Sequence, residues 1–354
     1  MFRTTNQSTL TATDLPPGCS FRESDWHILA AFWHPVAFVH DITDRPLAAK
    51  LLDVNLALYR TASGITVAKD QCPHRGVKIS LGRVQDDLLI CPMHGLHYDG
   101  NGVCRKIPSI ADPTAAIPDK LRLRTYRSEV RYGILWVCLK DEPIWPLPYW
   151  RHLEDPVYQP NYVPPGAWQV AAGRHVENFN DVAHFPWVHG ATFGGGPDAA
   201  YPRYQVQHTD YGLSFHIPYL ELLNRFPDGR DDLQQREVVY SYELTFPFST
   251  LLEVAVQESD YIQVILDTVC PISARQSGIF QITADNFGNP NPAEQVQETV
   301  AINDEDQPLV ESQYPQELPL DLREEINIPA DRMSLAYRKA LAEKFNLGAP
   351  MAGT

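Results

Sequence analysis

Apolar and polar positions alternate with a period of two through much of this chain, in short runs. Val36–Val39, Lys50–Asp53, Leu56–Tyr59 and Ile65–Ala68 each read as a strand, because successive side chains of an extended segment point to opposite faces. Turn residues bound them at Asp41, Thr43-Asp44, Asp53-Val54-Asn55 and Ser63-Gly64. Tyr98-Asp99-Gly100-Asn101-Gly102 predicts a tight hairpin turn, and Arg131–Leu139 a further strand. Trp26–His34 is an apolar stretch closed by Pro35, and residues 1–25 read as a poorly ordered extension. The pattern breaks at Pro143-Ile144-Trp145-Pro146-Leu147-Pro148-Tyr149-Trp150, a connector that divides the chain into residues 1–145 and 146–354. Strand-like alternation resumes over Tyr201–Phe287, as in Val238–Leu244 and Tyr261–Leu266. Residues 292–313, opening on Pro292, and Asp331–Lys344 read as helices. The expected fold is therefore α+β: an all-β first domain, then an α+β domain with an antiparallel sheet.

Composition narrows the setting. The 354 residues are 44% hydrophobic and 21% charged, ordinary for a globular protein of two domains. A net charge of −15 argues against nucleic acid or an anionic membrane surface as a partner. The N-terminus lacks an apolar signal region, and no apolar run is long enough to span a membrane. The six cysteines (Cys19, Cys72, Cys91, Cys104, Cys138 and Cys270) show no disulfide-framework spacing. A reducing, cytoplasmic location is the expectation.

Two of those cysteines carry the chemistry. Cys72-Pro73-His74 and Cys91-Pro92-Met93-His94 supply one thiolate and one imidazole per loop. A structural zinc site is one reading, but a zinc finger places its cysteines first and its histidines later. The interleaved order suits a [2Fe–2S] cluster with both sulfurs on one iron and both nitrogens on the other. Gly76 and Gly95 let the loops fold back, and Pro73 and Pro92 stiffen them. On these motifs the first domain resembles the Rieske proteins. Met93 and Leu96 stand where that family usually has aromatic residues, which bears on packing around the cluster and not on ligation.

A second motif lies in Glu177–His189, which reads D-x-x-H-x-x-x-x-H through Asp181, His184 and His189. Asp181 and His184, three apart, would share a helical face. His184 and His189, five apart, would diverge by about 140° on an ideal helix. Pro186 is expected to end or distort that helix and let the imidazoles converge. Two histidines and a later carboxylate make the facial triad of non-haem Fe(II) oxygenases.

With both motifs in this order, the chain resembles the Rieske non-haem iron oxygenase α subunits, particularly the shorter single-subunit type that includes O- and N-demethylases. The resemblance implies a helix-grip catalytic domain, a [2Fe–2S] cluster on Cys72, His74, Cys91 and His94, and mononuclear iron on His184 and His189. Asp181 would bridge from a neighbouring subunit's cluster to an iron histidine. The register of Ile302–Gln313 selects Asp306 as third ligand, with Asp304 and Glu305 as competitors. The resemblance further implies a homotrimer, O2 as co-substrate, electrons from a separate reductase or ferredoxin, and a small aromatic or heterocyclic substrate. Mono-oxygenation, ring cis-dihydroxylation and demethylation stay open. No dinucleotide fingerprint or serine-hydrolase elbow is present. A non-catalytic electron carrier would leave the second half of the chain without a purpose.

The candidate pocket residues are Phe215, His216, Tyr219, Phe226, Phe246, Phe248, Val264 and Phe280, and Phe193–Pro197 reads as a loop near the iron. Arg203, Arg225 and Arg230 are available to an anionic group, without forming a dedicated pair.

Overall fold

The computed structural model describes residues 15–112, 114–190, 192–194, 203–223, 234–288 and 291–349. Phe226, Arg225, Arg230 and residues 195–197 lie outside the described residues. After helix α1 (Glu23–Leu29), the first part contains β1 (His34–Phe38), β2 (Leu47–Leu51), β3 (Val54–Thr61), β4 (Gly64–Lys69), β5 (Arg83–Gln85) and β6 (Leu88–Ile90). It continues with β7 (His97–Tyr98), β8 (Cys104–Lys106), β9 (Thr125–Arg131) and β10 (Ile134–Cys138). Six of these strands pair in the order β1-β10-β9-β4-β3-β2, and β5 to β8 form a small four-stranded sheet beside them.

The expected turn at Asp53-Val54-Asn55 falls one residue earlier. Leu52 and Asp53 both take positive φ, and β3 already starts at Val54. The described part of the N-terminal extension is fixed in place, since Leu15, Cys19 and Phe21 pack on the main core and Ser20 bonds Asp53.

The second part begins with β11 (Asn161–Trp168), α2 (Ala172–Phe179) and the short α3 (Phe185–Val188). Then follow β12 (Gln207–His208), β13 (Gly212–Leu223), β14 (Gln234–Thr245), β15 (Ser249–Val256), β16 (Ile262–Ser273) and β17 (Gln276–Asp285). Helices α4 (Pro292–Glu311) and α5 (Arg332–Phe345) close the chain. The seven strands form one antiparallel sheet, ordered β11-β17-β16-β15-β14-β13-β12.

The two faces of this sheet meet different partners. Cys270 and Phe280 face the first domain, through Lys50 and through a 5.2 Å edge contact with Phe38. The opposite face carries the helices: Thr250 bonds Asn180, Asp267 bonds His175, and Thr283 bonds Gln295. One large apolar core joins the six-stranded sheet to the catalytic sheet, and it buries Trp26, Trp136, Trp150 and Trp168 almost fully. Each large side chain so buried contributes roughly 2–3 kcal/mol. A separate small core under the cluster loops holds Tyr59, Leu96 and Tyr98. Among the described residues, no helix is long and apolar enough to cross a membrane.

Two metal centres

The two cysteine loops are built alike. Gly76 N donates to Cys72 O (2.8 Å), and Cys72 N to Val77 O (2.8 Å). In the second loop Gly95 N donates to Cys91 O (3.1 Å), and Cys91 N to Leu96 O (2.9 Å). Gly76 and Gly95 have φ of 74° and 65°, a left-handed turn that a side chain would strain. Cys72 and Cys91 are buried, whereas His74 and His94 lie exposed with ring centroids 4.7 Å apart. Tyr98 Oη, on β7, lies 3.3 Å from Cys72 Sγ, close enough for the phenol to donate to the sulfur. Burial raises the Cys91 thiol, backbone N–H groups of Met93 and His94 oppose this, and the neighbouring Cys72 sulfur adds to the rise. Two buried sulfurs facing two exposed imidazoles fit a cluster whose outer iron sits at the surface. Leu96 packs beneath the loops, but Met93 is 58% exposed, so only one of these two residues lines the cluster pocket.

The second motif does not lie on one helix. Helix α2 ends at Phe179, Asp181 sits in the connection, and α3 starts after His184. Pro186 occupies the first turn of α3, where its missing N–H costs nothing, and so it begins a helix instead of breaking one. Asp181 organises the joint. Its carboxylate accepts from the backbone N–H of Ala183 and of His184, both at 3.1 Å, and lies 2.9 Å from His184 Nδ1.

The three candidate ligands converge. His184 Nε2 and His189 Nε2 are 3.2 Å apart, and Asp306 Oδ1 lies 3.5 Å from the first and 3.3 Å from the second. Each residue's ligand atom lies within 4.8 Å of the others. Asp306 Oδ1 is buried with no hydrogen-bond partner. A buried carboxylate oxygen without a donor is costly, and a cation held by these three atoms satisfies it.

Asp304 points to solvent. Glu305 stands behind the site, with Oε2 2.7 Å from His189 Nδ1, and it also accepts from Thr192 Oγ1 (3.2 Å). Each histidine thus has a carboxylate on its outer nitrogen, Asp181 for one and Glu305 for the other, which fixes tautomer and ring orientation. Burial alone would lower the His189 imidazole, but Asp306 and Glu305 together outweigh it and raise it. The sequence offered Glu305 only as a rival ligand. A carboxylate next to a ligand in the chain is the one signal that could have marked its supporting position.

Phe193 stacks on His189 (5.0 Å, 21°). Tyr219 Oη donates to Gly194 O (2.5 Å), and a side chain at Gly194 would collide with the Phe185 carbonyl. Of the candidate pocket residues, Phe215 and Tyr219 face the helices, with Tyr219 5.8 Å from Phe185. His216 is exposed on the other side of β13, since strand neighbours alternate. Val264 and Phe280 lie on the sheet face toward the first domain, by the same alternation. Phe246 packs with Trp145 and Phe345, and Phe248 with His34, at the end of the sheet. Arg203 is exposed.

A sulfur–imidazole site suited to single electrons and a two-histidine, one-carboxylate triad suited to Fe(II) together define an oxygenase that carries its own electron store. Comparison with known proteins agrees. Residues 32–127 match the Rieske [2Fe-2S] domain, and residues 168–346 match the vanillate O-demethylase oxygenase C-terminal domain. The chain is similar to methylxanthine N1-demethylase NdmA of Pseudomonas putida, 31% identical over 327 residues that cover 89% of each chain. It is similar to methylxanthine N3-demethylase NdmB of the same organism, 31% identical over 324 residues and 88% of each. The structure of NdmA with caffeine superposes with a TM-score of 0.82 at 29% identity, covering 92% of this chain and 93% of that one. The chain belongs to the Rieske non-haem iron oxygenases. Its cofactors are a Rieske [2Fe–2S] cluster and a mononuclear iron, with O2 as co-substrate.

Proposed function

We propose that this terminal oxygenase mono-oxygenates a methyl group on a small aromatic or heterocyclic compound, releasing the methyl as formaldehyde. The balance is R–X–CH3 + O2 + 2 e− + 2 H+ → R–XH + HCHO + H2O, with X a ring nitrogen or an oxygen. Hydroxylation of the methyl gives a carbinol that collapses by breaking the X–C bond. The observation that carries the reading is the convergence of His184, His189 and a donor-less, buried Asp306 oxygen. The demethylase relatives supply the direction of the chemistry.

In this reading Cys72, His74, Cys91 and His94 hold the cluster, and His184, His189 and Asp306 hold the iron. When bound, the two groups supply stored single electrons and reductive activation of O2. Asp181 holds the His184 ring and keeps part of its carboxylate open to solvent, with 29% side-chain exposure, for a donor on a second copy. Glu305 holds the His189 ring. Phe193 and Phe185 pack against the His189 and His184 rings.

Electrons come from a separate NAD(P)H-dependent reductase or ferredoxin. The division into residues 1–145 and 146–354 is part of the reading, as is a cytoplasmic location, which suits six cysteines outside any disulfide. So is a head-to-tail homotrimer. Its support is that the cluster loops rest on a core separate from the one behind the iron, with His74, His94 and Met93 at the surface. Trp187, beside the iron ligands, is 74% exposed and offers a seat for such a neighbour.

The test is single turnover of pre-reduced protein with labelled O2 and a panel of methylated and unmethylated rings. Stoichiometric formaldehyde supports the proposal. Labelled oxygen retained in the ring without formaldehyde overturns it in favour of ring hydroxylation.

A further inference from the structure

On the inner strand β16 the helix-facing side is fully buried at Asp267 and Val269 and less so toward the strand's start. Val264 and Leu266 are buried, whereas Gln263 and Ile265, pointing to the helices, are only half-buried. Helix α4 lies along β11 and β17 and turns an inward stripe to the sheet: Gln295, Thr299, Asn303, Asp306 and Val310. All of these are buried except Asn303, which is half-buried. Asn303 is three residues from Asp306, so their side chains share one face, roughly 5–6 Å apart at Cβ. Asn303 therefore lies on the helix face that also carries the triad carboxylate.

The side chains behind it are locked. Asn303 Nδ2 donates to Gln281 Oε1 (2.6 Å), and Gln281 Nε2 donates back to Asn303 Oδ1 (3.3 Å), closing an amide–amide ring. The second proton of Gln281 Nε2 goes to Asp267 Oδ2 (3.0 Å), which His175 Nε2 also meets at 2.9 Å. A carboxylate only accepts, so Asp267 fixes which way the Gln281 amide faces, and Gln281 in turn fixes Asn303. His175, Asp267 and Gln281 are at most 3% exposed, so this orientation is held in the core. Asp267 covers one side of the amide ring. The other side presents the second N–H of Asn303 beside the remaining lone pair of Gln281 Oε1. Among the described residues, nothing takes either.

Resting on the demethylase reading, we infer that this amide pair is the specificity-determining contact for substrate, and that it reads a neutral ring edge bearing adjacent C=O and N–H groups. A donor beside an acceptor complements an acceptor beside a donor, as in a lactam, imide or cyclic urea. A carboxylate would meet one donor and one repelling oxygen, with Asp267 directly behind.

The test uses the iron- and cluster-loaded protein with two probes, 1-methyluracil, which keeps the edge free, and 1,3-dimethyluracil, which blocks its N–H. Affinity is measured by calorimetry under anaerobic conditions and formaldehyde release in single turnover. The free edge should bind about 10- to 100-fold more tightly, the worth of one hydrogen bond plus the cost of leaving the Gln281 acceptor buried and unpaired. Asn303→Leu should collapse that ratio to near one while iron content, measured directly, stays at one triad iron per chain. Asp267→Asn, which frees the Gln281 amide to flip, should lower the ratio with Asn303 still present. Equal affinity of the unaltered protein for both probes, or a ratio unchanged in Asn303→Leu, overturns the inference. Selective binding without formaldehyde would keep this subsite and sink the demethylase reading.

Discussion

Asp181 grips His184 by its ring and its backbone together, and that double hold explains why a carboxylate stands three residues before the first imidazole. Asp181→Ala should leave both metals bound, because no ligand is removed, yet cut coupled turnover by roughly 10- to 100-fold. Metal analysis beside product formed per O2 consumed checks this, and normal coupling would remove the bridging role. Glu305 holds the other ring by one contact at Nδ1. Glu305→Gln keeps the shape but weakens the acceptor, so iron should be lost to a chelator at roughly tenfold lower concentration than from the unaltered chain. Competition with a coloured Fe(II) chelator reads that shift without any turnover. Asp181 was visible as a carboxylate three residues before a histidine, Glu305 only as the chain neighbour of Asp306. Only Asp181 belonged to a spacing pattern, and so only Asp181 had a role assigned from sequence.

Elements meet through buried polar contacts, and one of them sets a pH limit. His34, the first residue of β1, lies 2.8 Å from the carbonyl of Leu29 through Nε2 and so joins α1 to the sheet. Burial depresses its imidazole to about 4, against a smaller opposing effect of the Leu29 carbonyl. Between pH 6.5 and 4 the unfolded chain binds a proton that the folded chain excludes, so stability falls as pH drops through that window. The loss at the bottom is roughly 3 kcal/mol. In His34→Leu this contribution to the pH slope should vanish, though the variant starts lower for want of its hydrogen bond. Urea unfolding of both proteins at pH 7, 6 and 5 measures the difference, and parallel slopes would refute it. Strand positions and both long helices were legible from alternation and from Pro292, because those signals are local. The break between α2 and α3 was not, since a proline opens a helix as readily as it ends one and only the preceding backbone decides.

For the whole molecule, the arrangement of its two centres governs catalysis. The cluster loops and the candidate triad belong to different parts of the molecule, with the helices that carry the triad packed on the sheet face away from the first domain. If electrons pass between copies, Cys72→Ser, which lacks the cluster, and Asp306→Ala, which lacks the iron, should each be inactive alone. Co-expressed, they should recover activity in mixed assemblies of about three times 40.0 kDa. Light scattering gives the assembly mass and formaldehyde assay the recovery, and silent mixtures would place transfer within one chain.

The sequence by itself determined the donor sets, the order of the two centres and the strand-rich, helix-closed fold, because metal ligands and alternation are properties of residue type and spacing. The tertiary structure alone decided what lies across from what. It brought Asp306, which the register had favoured, within 3.3–3.5 Å of both imidazoles, put Val264 and Phe280 on the sheet face away from the helices, and set Asn303 on the helix face that carries Asp306. Helix facing and strand register bring together residues far apart in the chain. A cavity is the gap between such surfaces, which no local pattern encodes.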